Sequence, residues 1–232
     1  MNIYRPVKTN SFNQGWGENR AGIRINPATK KAVQPLDIIT SVGEYPLGYV
    51  SLYNYYGFKG HNGYDLGSWH GEYTYHSGEY DGWMITSHDE TGGLGVDIVS
   101  DEAILKCTEK GCRKTHYVKC RYWHGMEVLG FDGKLIKAGE VIMRADNTGA
   151  SSGDHVHFMP LWCDKDGNTL HTDNGWKGAF DPTRYYTNRF ICDELKMRTI
   201  ALKMIDILNQ LIFLMKQKVN KVGSALKLGK IL

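Results

Sequence analysis

Alternation between polar and apolar positions marks two strands in the middle of the chain. Residues 92–99 begin with a Gly-Gly turn and continue as an alternating strand. Residues 117–124 alternate as well, and side chains two apart share one face of a strand. One face then holds Tyr117, Lys119, Arg121 and Trp123, and the other holds Val118, Cys120, Tyr122 and His124. We therefore expect His124 to lie on the apolar face and to point inward.

The C-terminal residues follow a different period. From Asp193 onward, apolar residues recur every three or four positions, which predicts an amphipathic helix over 193–222 with acidic residues at its start. Charged and amide side chains interrupt the apolar face, so this segment is a poor transmembrane span. Docking on the body of the protein, self-association, and contact with a membrane or virion partner are three open roles for this basic helix.

Glycine and aromatic residues are abundant in the rest of the chain. The 232 residues include 27 glycines, 14 tyrosines and 6 tryptophans, a mixture that favours short strands and turns. The length suits one domain with an appendage. We expect a turn-rich N-terminal lead-in over 1–50 that is part of the domain, a main domain over 51–190, and a C-terminal helix and tail over 191–232.

Charge is distributed unevenly along the chain. Residues 193–232 contain eight Lys/Arg and three Asp/Glu, a net charge of +5, so residues 1–192 carry −2 of the total of +3. The slightly acidic body is therefore not expected to bind polyanions, and nothing in it resembles a nucleic-acid-binding module.

The five cysteines are an odd number, and none of them falls into a Cys-x-x-Cys motif. The spacing of Cys107, Cys112 and Cys120 therefore speaks against a separate structural zinc site. A Cys107–Cys112 disulfide across a hairpin is an alternative. The default expectation is reduced thiols in a protein made in the cytoplasm.

Two short motifs contain side chains that commonly bind metals. In a strand, His155 and His157 project from the same face. His61 and Asp65 are four residues apart and also share a face, and the glycines around them disfavour a helix. Two imidazoles and a carboxylate are a normal ligand set for a hydrolytic zinc, which leaves one histidine free for proton transfer. The alternative is that these are four unrelated surface or core residues. Two such motifs in one chain speak against that alternative more strongly than one motif would.

These motifs carry a family resemblance. His-x-Gly-x-Asp at 61–65, followed by Thr-Gly-x-Ser-x-Gly-x-His-x-His-Phe at 148–158, resembles the lysostaphin-type zinc endopeptidases, which cut peptide bonds in bacterial peptidoglycan. The segment Tyr122-Trp123-His124 resembles the family's Tyr-x-His. Further matches lie at 13–17, 134–142 and 147–149, so the resemblance runs in order over residues 12–160.

The resemblance implies a mainly β fold, a compact antiparallel sheet of the lysostaphin-type peptidase kind (duplicated hybrid motif-like) with its site in a groove across the sheet. It implies that His61, Asp65 and His157 bind one Zn²⁺ per chain and that His124 and His155 are the catalytic histidines, either of which could be the general base. The domain over 51–190 would then be a zinc metallopeptidase. Its substrate would be a stem peptide or cross-bridge of peptidoglycan.

The chain departs from the family pattern at two places near these motifs. An enlarged loop over 69–76 follows the first motif, and such loops commonly set specificity. Met159 stands where the family often has Glu, so the groups that orient the ligands would be supplied differently. We take Tyr64, Trp69 and Tyr122 as candidate substrate-binding residues.

A tyrosine-rich run over 49–58 leads directly into the first motif. We interpret it as a packed strand with aromatic partners. The alternative is a shelf that contacts the substrate, and the two roles are compatible.

Two alternatives to a free-standing enzyme follow from the sequence. Some relatives that have lost metal ligands serve as binding or activating modules for other wall enzymes, but all five site positions are present here. The other is a phage tail or virion component that carries the peptidase. Because the N-terminus lacks the apolar run of a secretory signal, we expect action at the bacterial cell wall after virion delivery or lysis rather than Sec secretion.

Overall fold

The structure is a computed structural model that describes residues 1–18, 24–25, 28, 32–33, 50–89 and 91–228. The chain divides into two units, Met1–Ile191 and Cys192–Leu232. The first unit holds every described strand and a one-turn helix, α1 (Leu52–Tyr55). The strands in chain order are β1 (Ile3–Arg5), β2 (Ser11–Gln14), β3 (Arg24–Ile25), β4 (Ala32–Val33), β5 (Val50–Ser51), β6 (Tyr64–Gly67), β7 (Tyr73–Tyr75), β8 (Gly82–Asp89), β9 (Gly93–Ser100), β10 (Leu105–Lys106), β11 (Thr115–Val128), β12 (Leu135–Ile136), β13 (Val141–Ala145), β14 (His155–Cys163) and β15 (Tyr186–Phe190).

One large antiparallel sheet forms the body of the first unit. Its main path runs β12-β8-β9-β11-β14-β6-β2, and β10, β13 and β7 extend it at the sides. The long strand β11 lies at the centre, between β9 and β14. The predicted mainly β, antiparallel fold is therefore confirmed.

Alternation along β14 separates the core from the opposite face of the sheet. Val156 and Phe158 are fully buried in the main hydrophobic cluster, together with Leu66 of β6 and Tyr122 of β11. His155 and His157 alternate with these two residues along β14 and point to the other face. Burying a side chain of this size stabilises the fold by about 1.5–3 kcal/mol. A shift of one residue would exchange the two faces, so core packing fixes the register that presents the histidines.

A bulge in β11 changes the predicted direction of His124. Tyr122 is paired with Val96 and Phe158, but the register with β9 then shifts before Gly125 pairs with Leu94. His124 sits in this irregularity with a φ of 68°, in the left-handed region. It therefore does not follow Cys120 and Tyr122 onto the core face, as simple alternation predicted. Its ring lies beside His155 on the opposite face.

Two small sheets complete the first unit. Strands β1 and β15 pair in parallel, which joins the N-terminal residues to the end of the domain. Strands β3, β4 and β5 form an antiparallel sheet. Residues 19–23, 26–27, 29–31 and 34–49 of the predicted lead-in lie outside the described residues.

The second unit is a long helix, and the predicted C-terminal helix is confirmed. The helix α2 spans Ile191–Leu228, longer than the predicted 193–222, and Asp193 and Glu194 lie in its first turn. Large apolar side chains from Met197 to Met215 are exposed. Within the described residues no helix has both the length and the apolar character needed to cross a membrane.

Candidate active site

Three predicted metal ligands converge on the polar face of the sheet. Asp65 of β6 and His157 of β14 are register partners, and His61 precedes β6. His61 Nε2 lies 3.1 Å from Asp65 Oδ1 and 3.0 Å from His157 Nδ1, and the latter two atoms are 2.9 Å apart. Both histidines are buried, and Asp65 is half-buried. The structure therefore brings the two sequence motifs together at one point.

The N-terminal segment 13–17 holds His61 in place. The carbonyl oxygen of Gly15 accepts a hydrogen bond from His61 Nδ1 at 2.9 Å, and the Gly17 N–H donates to the His61 carbonyl oxygen at 2.7 Å. Because a carbonyl oxygen can only accept, Nδ1 carries the ring proton. Nε2, the other ring nitrogen, then faces Asp65.

His157 is held by close packing on both sides of its ring. Trp123 stacks on it with ring centroids 5.5 Å apart. A Cβ at Gly63 would lie 3.0 Å from His157 Nε2 and 2.4 Å from the Phe158 carbonyl oxygen, so only glycine leaves room for the ring. Within the described part of the chain His157 Nε2 is buried and has no hydrogen-bond partner.

The donor atoms fit a divalent metal ion. His61 Nε2, Asp65 Oδ1 and His157 Nδ1 are electron-rich atoms packed within 3.1 Å of one another. Bonds of about 2.0–2.1 Å in a tetrahedral zinc site would separate such ligands by about 3.3 Å. Two imidazoles and one carboxylate are also a ligand set of catalytic zinc, which keeps a fourth position open. The residues present therefore suit Zn²⁺.

The histidines keep Asp65 ionised despite its burial. Burial alone would raise the pKa of this carboxyl group. The adjacent imidazoles of His155, His157 and His61 favour the ionised carboxylate, outweigh that effect and hold the pKa of Asp65 well below its usual range. A permanent negative charge thus lies among the imidazoles, as a cation site requires.

Two further histidines present unprotonated nitrogens to the same place. The Gly153 carbonyl oxygen lies 2.8 Å from His155 Nδ1, and the Thr148 carbonyl oxygen lies 2.7 Å from His124 Nδ1. Each Nδ1 therefore carries the proton, which leaves Nε2 free. The two ring centroids are 4.5 Å apart, and His155 Nε2 is 3.4 Å from Asp65 Oδ1.

The two histidines differ in basicity. Burial, together with the smaller effects of the neighbouring His155 and His157, lowers the pKa of His124 to about 4. Burial also acts to lower the pKa of His155, but the nearby Asp65 carboxylate favours the protonated ring and reverses the direction, so that the pKa is raised. At neutral pH His124 is thus a neutral ring that can accept a proton.

The turn at 147–149 sets the position of His124. The Thr148 hydroxyl donates to the Gly125 carbonyl oxygen at 2.7 Å, which ties the turn to the bulge in β11. Gly149 has a φ of 76°, and a Cβ there would lie 2.3 Å from the backbone nitrogen of Gly93. This turn therefore needs glycine to lie close enough to β9 to hold His124.

A groove with aromatic walls surrounds these five residues. Tyr53, Tyr56, Phe58 and Trp123 line it together with the Ser151-Ser152 turn. Beyond β5 the tyrosine-rich run does not form the predicted strand, since residues 52–55 make the turn of α1. Tyr53 and Tyr56 line the groove, and the alternative role of this run as a shelf beside the substrate stays a prediction.

The three candidate substrate-binding residues do not line this groove. Tyr122 is fully buried, and its hydroxyl accepts a hydrogen bond from the Ser77 N–H at 2.9 Å. Tyr64 is also buried, on the core face of β6, and its hydroxyl bonds Thr183. Both roles need correction, because a side chain on the core face of the sheet cannot reach a substrate on the other face.

The enlarged loop over 69–76 contributes no residue to the groove. Trp69 is 75% exposed and lines a separate hollow with Glu72 and Tyr73. His70 is exposed and pairs with Asp146 at 3.0 Å. A substrate that extends beyond the groove would have to reach this surface to contact Trp69.

Three contacts near the candidate ligands were not predicted. Gln14 donates to the Tyr53 hydroxyl at 2.6 Å, and the two rings of Tyr53 and His61 are 6.1 Å apart. Asn62 donates to the sulfur of Met159 at 3.2 Å. The pairing of Gln14 with Tyr53 could have been suspected from its place in the 13–17 match.

Comparisons with known proteins give structural similarity only. No protein-family model and no curated protein matches the chain. The chain is similar to a zinc-containing peptidase from Vibrio cholerae, with 19% identity and a TM-score of 0.44 over 78% of this chain and 39% of that one. It therefore spans about two fifths of that peptidase.

Two other solved structures show similarity of the same order. The catalytic domain of the antimicrobial peptidase lysostaphin from Staphylococcus simulans has 18% identity and a TM-score of 0.41 over 55% of this chain and 79% of that one. A structure of the SpoIIQ–SpoIIIAH pore-forming complex has 18% identity and a TM-score of 0.44 over 83% and 96%. The chain carries motifs that resemble those of lysostaphin-type peptidases, and lysostaphin itself is among the solved structures similar to it.

Proposed function

We propose that the protein is a zinc-dependent endopeptidase that hydrolyses peptide bonds in bacterial peptidoglycan. One observation carries the proposal. The ligand atoms of His61, Asp65 and His157 lie within 3.1 Å of one another, and the rings of His124 and His155 lie beside them in an open groove. The substrate class is what the motif resemblance implies.

The ligand residues prepare the site for the attacking water. When Zn²⁺ is bound, it lowers the pKa of its water from 15.7 toward about 7, which makes hydroxide available at neutral pH. His61 and His157 would supply nitrogen ligands and Asp65 an oxygen ligand. Gly15 and Trp123 hold the two rings so that binding needs little rearrangement.

His124 and His155 would handle the proton and the developing charge. Each has Nδ1 bound to a backbone carbonyl and Nε2 directed to the site. One Nε2 accepts the proton of the attacking water and returns it to the nitrogen of the departing amine. The other donates a hydrogen bond to the oxyanion of the tetrahedral intermediate, once it carries a proton. No serine or cysteine nucleophile is needed.

The groove suits an extended peptide. Tyr53, Tyr56 and Phe58 line it together with the Ser151-Ser152 turn. Aromatic walls contact the backbone and short side chains of a peptide through their faces. Burial and the neighbouring carboxylates raise the pKa of Tyr53 to about 12, so its hydroxyl remains a hydrogen-bond donor.

The non-catalytic alternative predicts a different outcome for the same site. A binding or activating module would not need both free histidines beside a complete ligand set. All five residues are present and each has a positioning contact, which supports the enzyme over the module.

The test is the appearance of new amino termini in purified peptidoglycan. The wild-type protein and Asp65→Asn would be incubated with walls of several cross-bridge types, and new amino groups would be labelled and located by mass spectrometry. We expect new termini in stem peptides or cross-bridges with the wild type alone. Binding to walls without new termini, by a zinc-loaded wild type, would support the module and contradict the enzyme.

A further inference from the structure

A second group of metal-ligating side chains lies outside the groove. It consists of Cys107, which follows β10, Cys112 in the loop before β11, His116 near the start of β11, and His171 after β14. Their ligand atoms all lie within 4.8 Å of one another. We name these four residues the Cys–His cluster.

The Cys–His cluster is far from the proposed active site. His116 and His124 are eight residues apart on the same strand, β11. At about 3.3 Å per residue they are about 26 Å apart along the strand. The cluster therefore cannot take part in the chemistry of the groove.

Short contacts connect the cluster in two pairs. Cys107 Sγ lies 3.4 Å from His171 Nε2, and Cys112 Sγ lies 3.2 Å from His116 Nε2. The rings of His116 and His171 are 5.5 Å apart in an edge-on arrangement. The two pairs thus face each other around a common centre.

The fold holds all four residues in place. Leu105 and Lys106 pair with His116 and Thr115, which brings the start of the cysteine loop next to β11. The Leu170 N–H donates to the Trp162 carbonyl oxygen at 2.8 Å, and this places His171 beside β14. His171 has a φ of 54°, in the left-handed region.

Glu109 anchors the loop between the two cysteines. Its Oε1 accepts hydrogen bonds from Trp162 Nε1 at 3.3 Å and from Asn174 at 3.1 Å. Segments that are far apart in sequence are therefore tied together around the cluster, and the cluster sits on a small hydrophobic core that includes Trp162 and Phe180.

We propose that Cys107, Cys112, His116 and His171 bind a structural zinc ion. Two thiolates and two imidazoles in tetrahedral arrangement are a closed ligand set for zinc, with no position left for a substrate. Ideal bonds would place the ligand atoms about 3.3–3.8 Å apart, so the widest pairs need to contract by about 1 Å. The site does not depend on the proposed function of the groove.

Two other uses of these residues account for less of the geometry. A Cys107–Cys112 disulfide would leave both histidines without a role, and no disulfide joins any of the five cysteines, all of which lie in the described ranges. A cysteine nucleophile with a histidine base would use one pair and leave the other unexplained. Only a shared cation uses all four.

This proposal corrects the expectation from cysteine spacing. The motif Cys-x₄-Cys-x₃-His supplies three ligands, and the fourth follows 55 residues after His116. The predicted stoichiometry of one zinc per chain becomes two if the groove also holds zinc.

The test counts zinc in the intact chain and in variants. We expect Cys112→Ser and His171→Ala to contain one zinc per chain less than the wild type, whereas the matched controls Cys192→Ser and His88→Ala contain as much as the wild type. This difference in zinc content is expected whether or not the groove binds zinc, because it depends on the Cys–His cluster alone. His61→Ala, in turn, removes a zinc only if the groove holds one. Equal zinc in Cys112→Ser and wild type would overturn the proposal.

X-ray absorption spectroscopy of the wild-type protein tests the proposal even if a variant does not fold. The groove offers only nitrogen and oxygen ligands, so zinc–sulfur scattering at about 2.3 Å reports the cluster alone. We expect this signal, together with thiols that react with a thiol reagent only after chelation. Absence of zinc–sulfur scattering in zinc-loaded protein, or a Cys107–Cys112 disulfide in its mass spectrum, would overturn the proposal.

Discussion

Two different clusters of metal-ligating side chains lie near the two ends of strand β11. The groove cluster of His61, Asp65 and His157 has three nitrogen and oxygen ligands and an open side lined by His124 and His155. The Cys–His cluster has four ligands, two of them sulfur, and sits on loops that it ties together. An open ligand set leaves room for water and substrate, and a closed one does not.

The difference between the open and the closed ligand set indicates a separate role for each cluster. In the groove every ring has a second contact that fixes its tautomer or its orientation, as chemistry requires. In the Cys–His cluster the contact between Cys107 and His171 joins segments that are 64 residues apart in sequence, as cross-linking of a fold requires. The predictions below test this division, from the largest expected effect to the smallest.

Loss of a groove ligand should have the largest effect on activity. Asp65→Asn removes a charged ligand, so we expect at least about a 10⁴-fold loss of turnover, beyond what removal of a general base alone causes. The zinc content should fall by one per chain, and zinc–sulfur scattering should remain. Turnover close to that of the wild type would contradict the assignment of the groove as the catalytic site.

Loss of His124 should separate proton transfer from metal binding. We expect His124→Ala to keep its zinc and to lose about 10²–10⁴-fold in turnover, because the ring contacts the reacting groups but is not a ligand. The control is Thr148→Ser, which retains the hydroxyl bond to Gly125 and should remain active. Loss of zinc in His124→Ala would instead make it part of the ligand set.

Loss of a Cys–His ligand should act on stability rather than on turnover. We expect Cys112→Ser to lower the midpoint of thermal unfolding by about 5 °C or more, which is about 2 kcal/mol for a domain of this size. Cys192→Ser should leave the midpoint within about 1 °C. If Cys112→Ser lost turnover as strongly as Asp65→Asn at a temperature where it is folded, the division between the two ends would fail.

A buried histidine outside both clusters gives the smallest effect. His76 donates from Nε2 to the Tyr80 carbonyl oxygen, and burial lowers its pKa to about 4. In the unfolded chain His76 takes up a proton as pH falls through about 6.5, whereas in the folded chain it stays neutral until about pH 4. The stability that comes from burying neutral His76 is therefore complete above pH 6.5 and is lost as pH falls toward 4. We expect about 2 kcal/mol less stability at pH 5 than at pH 7 from this residue. His76→Gln should reduce that difference in denaturant unfolding; an unchanged difference would remove His76 as its source.

The sequence is sufficient to predict that His155 and His157 share one face, because local strand geometry sets it; the ligand role of His61, Asp65 and His157 stays a prediction. His155 and His157 share a face in any strand, and core residues Val156 and Phe158 fix that face. The antiparallel fold follows from the same kind of pattern, and so does the long helix.

Other features depend on long-range packing and could not be predicted. Alternation placed His124 on the core face, and only the bulge beside Gly125 turns it to the groove. Tyr122 looked available for substrate, but pairing with Phe158 buries it. The Cys–His cluster needs His171, which a turn beside Trp162 supplies from a distant part of the chain.

The most direct test of the central claim compares wild type with His155→Ala at equal zinc content, by the release of amino groups from purified peptidoglycan. His155 contacts Asp65 but is not a proposed ligand, so the variant should keep its zinc. We predict release by the wild type that stops with chelator and returns with zinc, and release lower by about 10²–10⁴-fold in the variant. Equal release by the two zinc-loaded proteins, or release from wild type that resists complete zinc removal, would contradict the account.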